Sequence, residues 1–175
     1  MEFLQQLVAV FDQMACRDGE LCALKWKDIT NGKIHIQREI INKNKTVYDG
    51  TKTPAGNRFI PLNKNALKLL SEIRTMNMNN GFDIGPEAFI FQFQGSFAKT
   101  NQMYKRLTTV QNSLKFEEIR SPHDVRRTFA TELYENGFSA KKIQKLMGHE
   151  KIETTLNSYI CDRNNENLYL YDKIG

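Results

Sequence analysis

Residues 121–159 read SPHDVRRTFATELYENGFSAKKIQKLMGHEKIETTLNSY, and this stretch decides the fold. Ser121-Pro122 is a helix start. The serine hydroxyl can accept an orphan N–H, and proline at the first helical position gives up an N–H that has no partner there. That helix should stop before Gly137, because glycine tolerates the left-handed backbone on which helices end. Ser139 caps the next helix, which stops at Gly148, and Thr154 to Tyr159 opens a last helical segment. His123 and Arg126 are three apart and share a helix face; Arg127, four along from His123, could share it too. His123 lies in the first turn, where the helix dipole disfavours the imidazolium. His149 falls on the corner after Gly148, and Tyr159 follows ten residues later on the next helix.

Upstream, shorter elements alternate. Glu20 to Trp26 suits a helix, with Arg17 just before it and Glu20 three residues on. Lys33 to Ile41 alternates through Ile34, Ile36 and Ile40 after an Asn31-Gly32 turn, so it reads as a strand. Thr46 to Lys52 is a second strand, Pro54-Ala55-Gly56-Asn57 is turn chemistry, and Arg58 to Leu62 is a third strand. Lys52 thus lies beside a hairpin turn. Asn63 caps a helix running toward Ile73, Asn77 to Gly85 is a loop, Phe89 to Phe93 is a short strand, and Thr100 caps a helix to about Leu114. The chain reads as α+β: mostly helical, with a small antiparallel three-stranded sheet.

Composition bounds the class. Apolar residues make up 40% and charged residues 26%, the balance of a globular protein with a core. Lys and Arg number 25 against 20 acidic residues, a net charge of +5 that suits a phosphate-bearing partner. Cys16, Cys22 and Cys161 form no CxxC pair, which argues against a disulfide framework. His35, His123 and His149 are far apart and fit no zinc-ligand spacing. No apolar run approaches the ~20 residues that span a bilayer. Met1 to Phe11 reads as an amphipathic helix and not a signal peptide, so the expected compartment is the cytoplasm. The tail, residues 162–175, is polar with Leu168 to Tyr171 set within it.

Taken singly, each of these residues has a plainer reading. An Arg–Glu pair is usually a surface contact, a hairpin lysine is usually solvated, and a helical tyrosine is usually packed. Their order is distinctive. Arg17, Lys52, His123-x-x-Arg126, Gly148-His149 and Tyr159, with HDVRRTFAT, LMGHEKIETTLNSY and TKT followed by RFIPL, resemble the tyrosine recombinase (phage integrase) family from about Phe11 to Tyr159. The resemblance implies that Arg17 and Arg126 are the two catalytic arginines, Lys52 the hairpin lysine, His123 and His149 the two histidines, Tyr159 the nucleophile, and Glu20 a bracing carboxylate. It selects Arg126 over Arg127, which helix spacing leaves open. Ala15 stands where the family often has glycine, and Ile160-Cys161 follow the tyrosine where it often has Ser/Thr-His.

The implied chemistry suits these residue types. Attack on a phosphodiester builds charge on the non-bridging oxygens, which two guanidinium forks can hold without a metal ion. A tyrosine hydroxyl with a pKa near ~10 needs a base, for which neutral His123 is the candidate, and the leaving 5′ oxygen needs an acid, for which Lys52 is the candidate. The expectation is therefore a catalytic domain over residues 1–175, with no cofactor and no metal. It lacks an N-terminal core-binding domain. It acts on double-stranded DNA through a 3′-phosphotyrosyl link, as a homotetramer when full-length and as a monomer when isolated. The tail would dock on a neighbouring subunit or on its own domain. The rival readings are a type IB topoisomerase-like relaxing enzyme, an inactive DNA-binding module on this fold, and a metal-dependent nuclease.

Overall fold

A computed structural model describes residues 14, 16–41, 46–113, 115, 117 and 119–160, the last three by backbone alone. The N-terminal amphipathic helix and the tail with Leu168 to Tyr171 lie outside the described residues.

The chain order is α1 (Asp18–Cys22), β1 (Ile29–Thr30), β2 (Lys33–Ile36), β3 (Glu39–Ile41), β4 (Thr46–Tyr48), β5 (Arg58–Pro61), α2 (Lys64–Asn79), β6 (Gln92–Phe93), β7 (Ser96–Phe97), α3 (Thr100–Ser113), α4 (Pro122–Glu135), α5 (Ala140–Met147) and α6 (Ile152–Ile160). A three-stranded antiparallel sheet runs β1-β2-β5, with Ile34 opposite Ile60 and Ile36 opposite Arg58. β3 and β4 form a separate two-stranded hairpin, as do β6 and β7.

The expected strand over Lys33 to Ile41 is therefore two strands. The break falls at Gln37-Arg38, where Arg38 turns inward to a buried ion pair with Asp28 while Gln37 Nε2 donates to the same carboxylate at 2.9 Å. The expected strand from Thr46 ends at Tyr48, which leaves Lys52 in a bend. The expected helix through Trp26 ends at Cys22, and a short 3-10 turn covers Trp26–Asp28. α2 continues past Ile73 to Asn79, because Asn77 is buried and donates to Ile90 O at 2.9 Å, which fixes another turn.

Two cores hold these elements. The larger gathers Leu21 and Cys22 from α1, Ile34, Ile36 and Ile60 from the sheet, Leu70 and Ile73 from α2, and Phe91 and Met103 beyond. The smaller gathers Ala130, Ile143 and Met147 with Phe129 and Leu133. Each fully buried Ile or Leu contributes roughly 1.5–3 kcal/mol.

Local signals set the three helices that follow Ser121. Ser121 Oγ accepts from Asp124 N at 3.2 Å and the Asp124 carboxylate accepts from Ser121 N at 2.9 Å, a reciprocal cap that starts α4. α4 closes at Gly137, whose φ is +81°. Ser139 caps α5, and Gly148, with φ +64°, ends it. α6 begins at Ile152, two residues earlier than its sequence suggests.

Candidate active site

Arginine side chains bridge α1 and the end of α5, and a cluster of cations forms there around one carboxylate. Glu20 is 1% exposed. Its Oε1 accepts from Arg17 Nη1 at 2.6 Å and its Oε2 from Arg17 N at 2.9 Å. Arg58 grips the same carboxylate with both terminal nitrogens, Nη2 to Oε2 at 2.9 Å and Nη1 to Oε1 at 3.2 Å. Arg126 Nη1 lies 4.0 Å from Oε2. Burial alone would raise the Glu20 carboxyl, but the hydrogen bonds and charges of Arg58 and Arg17 outweigh it and hold it below its usual range.

The same three arginines meet the C-terminus of α5. Arg58 Nε donates to Leu146 O at 2.6 Å, Arg126 Nη2 donates to Met147 O, and Arg17 Nη2 donates to Gly148 O at 3.1 Å. Three successive carbonyls at a helix end thus each take a guanidinium N–H. These carbonyls lack intrahelical partners and carry the negative end of the helix dipole, so cations there are favoured. Gly148 makes the approach possible: a Cβ on it would come within 2.7 Å of Arg58 Nη1 and 2.9 Å of Ala55 O.

His149 follows on this corner. Its N donates to Gln144 O at 3.1 Å, and its Nδ1 lies 3.0 Å from the hydroxyl of Thr155, which is wholly buried on α6. Burial, then Arg126, Arg17 and Arg58, push its imidazole down to about 4, so the ring is neutral near pH 7. Arg126 is brought down to about 10, chiefly by burial, and remains cationic at neutral pH. Cys16, beside these groups, has its thiol pushed up to about 12 by burial and is held as the thiol.

Of the residues singled out in the sequence, Arg17, Glu20, Arg126 and His149 come together here. His123 sits exposed on the first turn of α4, close enough to act electrostatically on His149. Lys52 is exposed in the bend after β4, and its backbone N–H donates to the carboxylate of Glu39 on β3. Burial and Glu20 raise Glu39, while Arg17 and Lys52 act against that, so Glu39 links the Lys52 bend to the cluster. Gly19 lets α1 lie on β3, since a Cβ there would meet Ile40 O at 3.1 Å. Tyr159 lies on α6 one turn beyond Thr155, and its side chain lies outside the described residues. Arg127 points instead toward Asp124, 3.9 Å from its carboxylate. A cleft of about 440 Å³ opens beside the cluster; besides Arg58 and His149, which belong to the cluster, its lining carries Lys141 and Lys145 against Glu150, a net positive charge.

Arg58 is the residue that sequence reasoning missed. A signal existed. Strand alternation places Arg58 on the same face as Ile60, toward the core, and an arginine at an inward position needs a buried partner. Among the described residues no group of three or more His, Cys, Asp or Glu is placed to hold a metal ion, and no helix is long and apolar enough to cross a membrane.

Comparison with known proteins gives this arrangement its relatives. The model of the phage integrase family matches residues 5–166. A XerC-like tyrosine recombinase of Caldanaerobacter subterraneus is 26% identical over 163 residues, covering 82% of this chain and 41% of that protein. The integrase of Staphylococcus phage L54a is 32% identical over 158 residues, covering 82% of this chain and 43% of the relative. Among solved structures, the Tn1549 transposon integrase in complex with transposon right-end DNA superposes with a TM-score of 0.73 at 27% identity, over 90% of this chain and 58% of that one. The chain spans about two fifths of the length of the curated relatives it matches.

Proposed function

The chain belongs to the phage integrase family, and from that premise we propose that it is the catalytic part of a site-specific DNA recombinase, which cuts and rejoins double-stranded DNA through Tyr159. The observation that carries the reading is the gathering of Arg17, Arg126 and neutral His149 on the Met147–His149 corner, with Glu20 shared between the arginines.

In this reading a backbone phosphate enters over Arg17, whose side chain is 31% exposed, and toward the deeper Arg126. The two guanidinium groups bind the non-bridging oxygens, where charge develops during attack. With its Nδ1 accepting from the Thr155 hydroxyl, His149 carries its proton on Nε2 and donates to the phosphate. The Tyr159 hydroxyl attacks phosphorus and passes its proton to His123. The bond from phosphorus to the 5′ oxygen breaks, and Lys52 protonates that oxygen as it leaves. The products are a 3′-phosphotyrosyl link and a free 5′ hydroxyl. The hydroxyl of another strand reverses the step, so rejoining needs neither ATP nor a metal ion. On two DNA sites the assembled recombinase is a homotetramer.

The test is to trap the intermediate. A pool of nicked duplexes with randomised sequence, which release a short strand on cleavage, is incubated with the chain and denatured. A covalent protein–DNA adduct is expected, formed equally well in EDTA and absent from Tyr159→Phe. An adduct that survives Tyr159→Phe, or one that EDTA abolishes, sinks the proposal.

A further inference from the structure

We infer that Arg58 is the positioning residue of this site: it sets where Arg17 and His149 stand without itself meeting the DNA. The inference rests on the reaction proposed above. Arg58 lies on β5 opposite Ile36 and is 7% exposed. One planar group fixes three elements. It clamps Glu20 of α1 with both terminal nitrogens, holds Leu146 O at the end of α5 through Nε, and ties Gly56 O in its own turn at 2.8 Å.

Each of those anchors controls a residue of the proposed reaction. Glu20, once held by Arg58, is the partner that orients the Arg17 fork at 2.6 Å. Leu146 O lies two residues before Gly148 and three before His149, so its bond to Arg58 fixes the corner from which His149 projects. Gly56 O lies in the turn between the Lys52 bend and β5, so the same group holds the base of the lysine segment. The geometry demands arginine. A lysine at 58 would keep the charge opposite Glu20 but could not supply a fork plus two further donors in one plane. With Arg58 gone, Glu20 would be shared between Arg17 and Arg126 alone and would draw them away from an incoming phosphate.

The test separates positioning from folding and from DNA affinity. The chain, Arg58→Lys and Arg58→Ala are compared on the same nicked duplex pool, for binding and for the single-turnover rate of adduct formation at saturating DNA. Arg58→Lys should bind within about threefold of the wild type. It should react roughly 10- to 100-fold more slowly, the loss expected when reacting groups are misplaced by about an ångström. In Arg58→Ala, millimolar guanidinium should restore part of the rate while sodium chloride at equal ionic strength does not, a response that loss of fold would not give. Should both variants fail to fold, Gly148→Ala, which leaves Arg58 in place but pushes a Cβ against its Nη1, should show the same split between rate and affinity. A rate within about threefold of wild type, or a deficit found wholly in affinity, overturns the inference. A wild-type chain that forms no adduct, like Tyr159→Phe, overturns the proposed reaction and this inference with it.

Discussion

His149 shows at the scale of one residue how the site sets a protonation state. Its imidazole is pushed from 6.5 down to about 4 by burial, then by Arg126, Arg17 and Arg58. Between those values the unfolded chain binds a proton that the folded chain does not. The contribution of His149 to stability therefore falls as pH drops through this window and is flat above it. Glu20 adds a second loss at lower pH, since its carboxyl is held below its ordinary 4.5 and must be protonated before its bonds to Arg17 and Arg58 are given up. Urea unfolding at about pH 7 and about pH 5 should show the lower stability at the acid end, and His149→Gln should shrink the difference. An unchanged difference would mean that the ring titrates normally. Thr155 tests the ring's orientation. Thr155→Val keeps the shape of a wholly buried side chain and removes the hydroxyl 3.0 Å from Nδ1. Adduct formation should fall roughly tenfold, the usual scale for one buried hydrogen bond, with the acid limb of the pH profile moved upward.

At the scale of elements, the corner between α5 and α6 carries the most constraint. Gly137 and Gly148 both end helices with positive φ, +81° and +64°. A Cβ at Gly137 meets nothing within 4 Å, whereas one at Gly148 meets Arg58 Nη1 at 2.7 Å and Ala55 O at 2.9 Å. Gly137→Ala should cost about 1 kcal/mol, the penalty of the left-handed backbone alone. Gly148→Ala should cost about 2 kcal/mol or more, because a backbone oxygen cannot move aside as a side chain can. Equal losses in urea unfolding would show that the corner yields freely. The three helices of this region were legible in the sequence because their caps are local: Ser121 with Asp124, Ser139, and two glycines. The sheet was less legible. The alternation of Ile34, Ile36 and Ile40 puts Arg38 on the same inward face, so the pattern gives no sign of the break at Gln37-Arg38, where both side chains bond Asp28. β1 has two residues, too few for any periodicity to mark it as the partner of β2. Arg58 was hidden for the opposite reason. Its inward position was readable, but a charged residue is taken for surface until its buried partner, 38 positions away in Glu20, is known.

At the scale of the molecule, charge and connectivity act together. The net charge is +5, and Lys141, Lys142, Lys145 and Lys151 are all exposed on or just beyond α5, beside the corner that holds His149. In the proposed reaction these lysines would meet phosphates on either side of the one bound in the site, each pairing releasing a counterion from the duplex. The chain also spans only about two fifths of the length of the curated relatives it matches. Affinity should then come almost wholly from the electrostatic term. Binding to a random duplex near physiological salt should be micromolar or weaker, and log K should fall with log salt at a slope near −5 if about six phosphates are neutralised. Fluorescence anisotropy on a labelled duplex between about 50 and 200 mM salt should then show a loss of about a thousandfold. Replacing Lys141 and Lys145 with alanine should flatten the slope by about 2, one unit for each phosphate no longer neutralised, while leaving the fold intact. Nanomolar binding that ignores salt would place the affinity in base recognition or buried surface, and the basic flank of α5 would have no part in it.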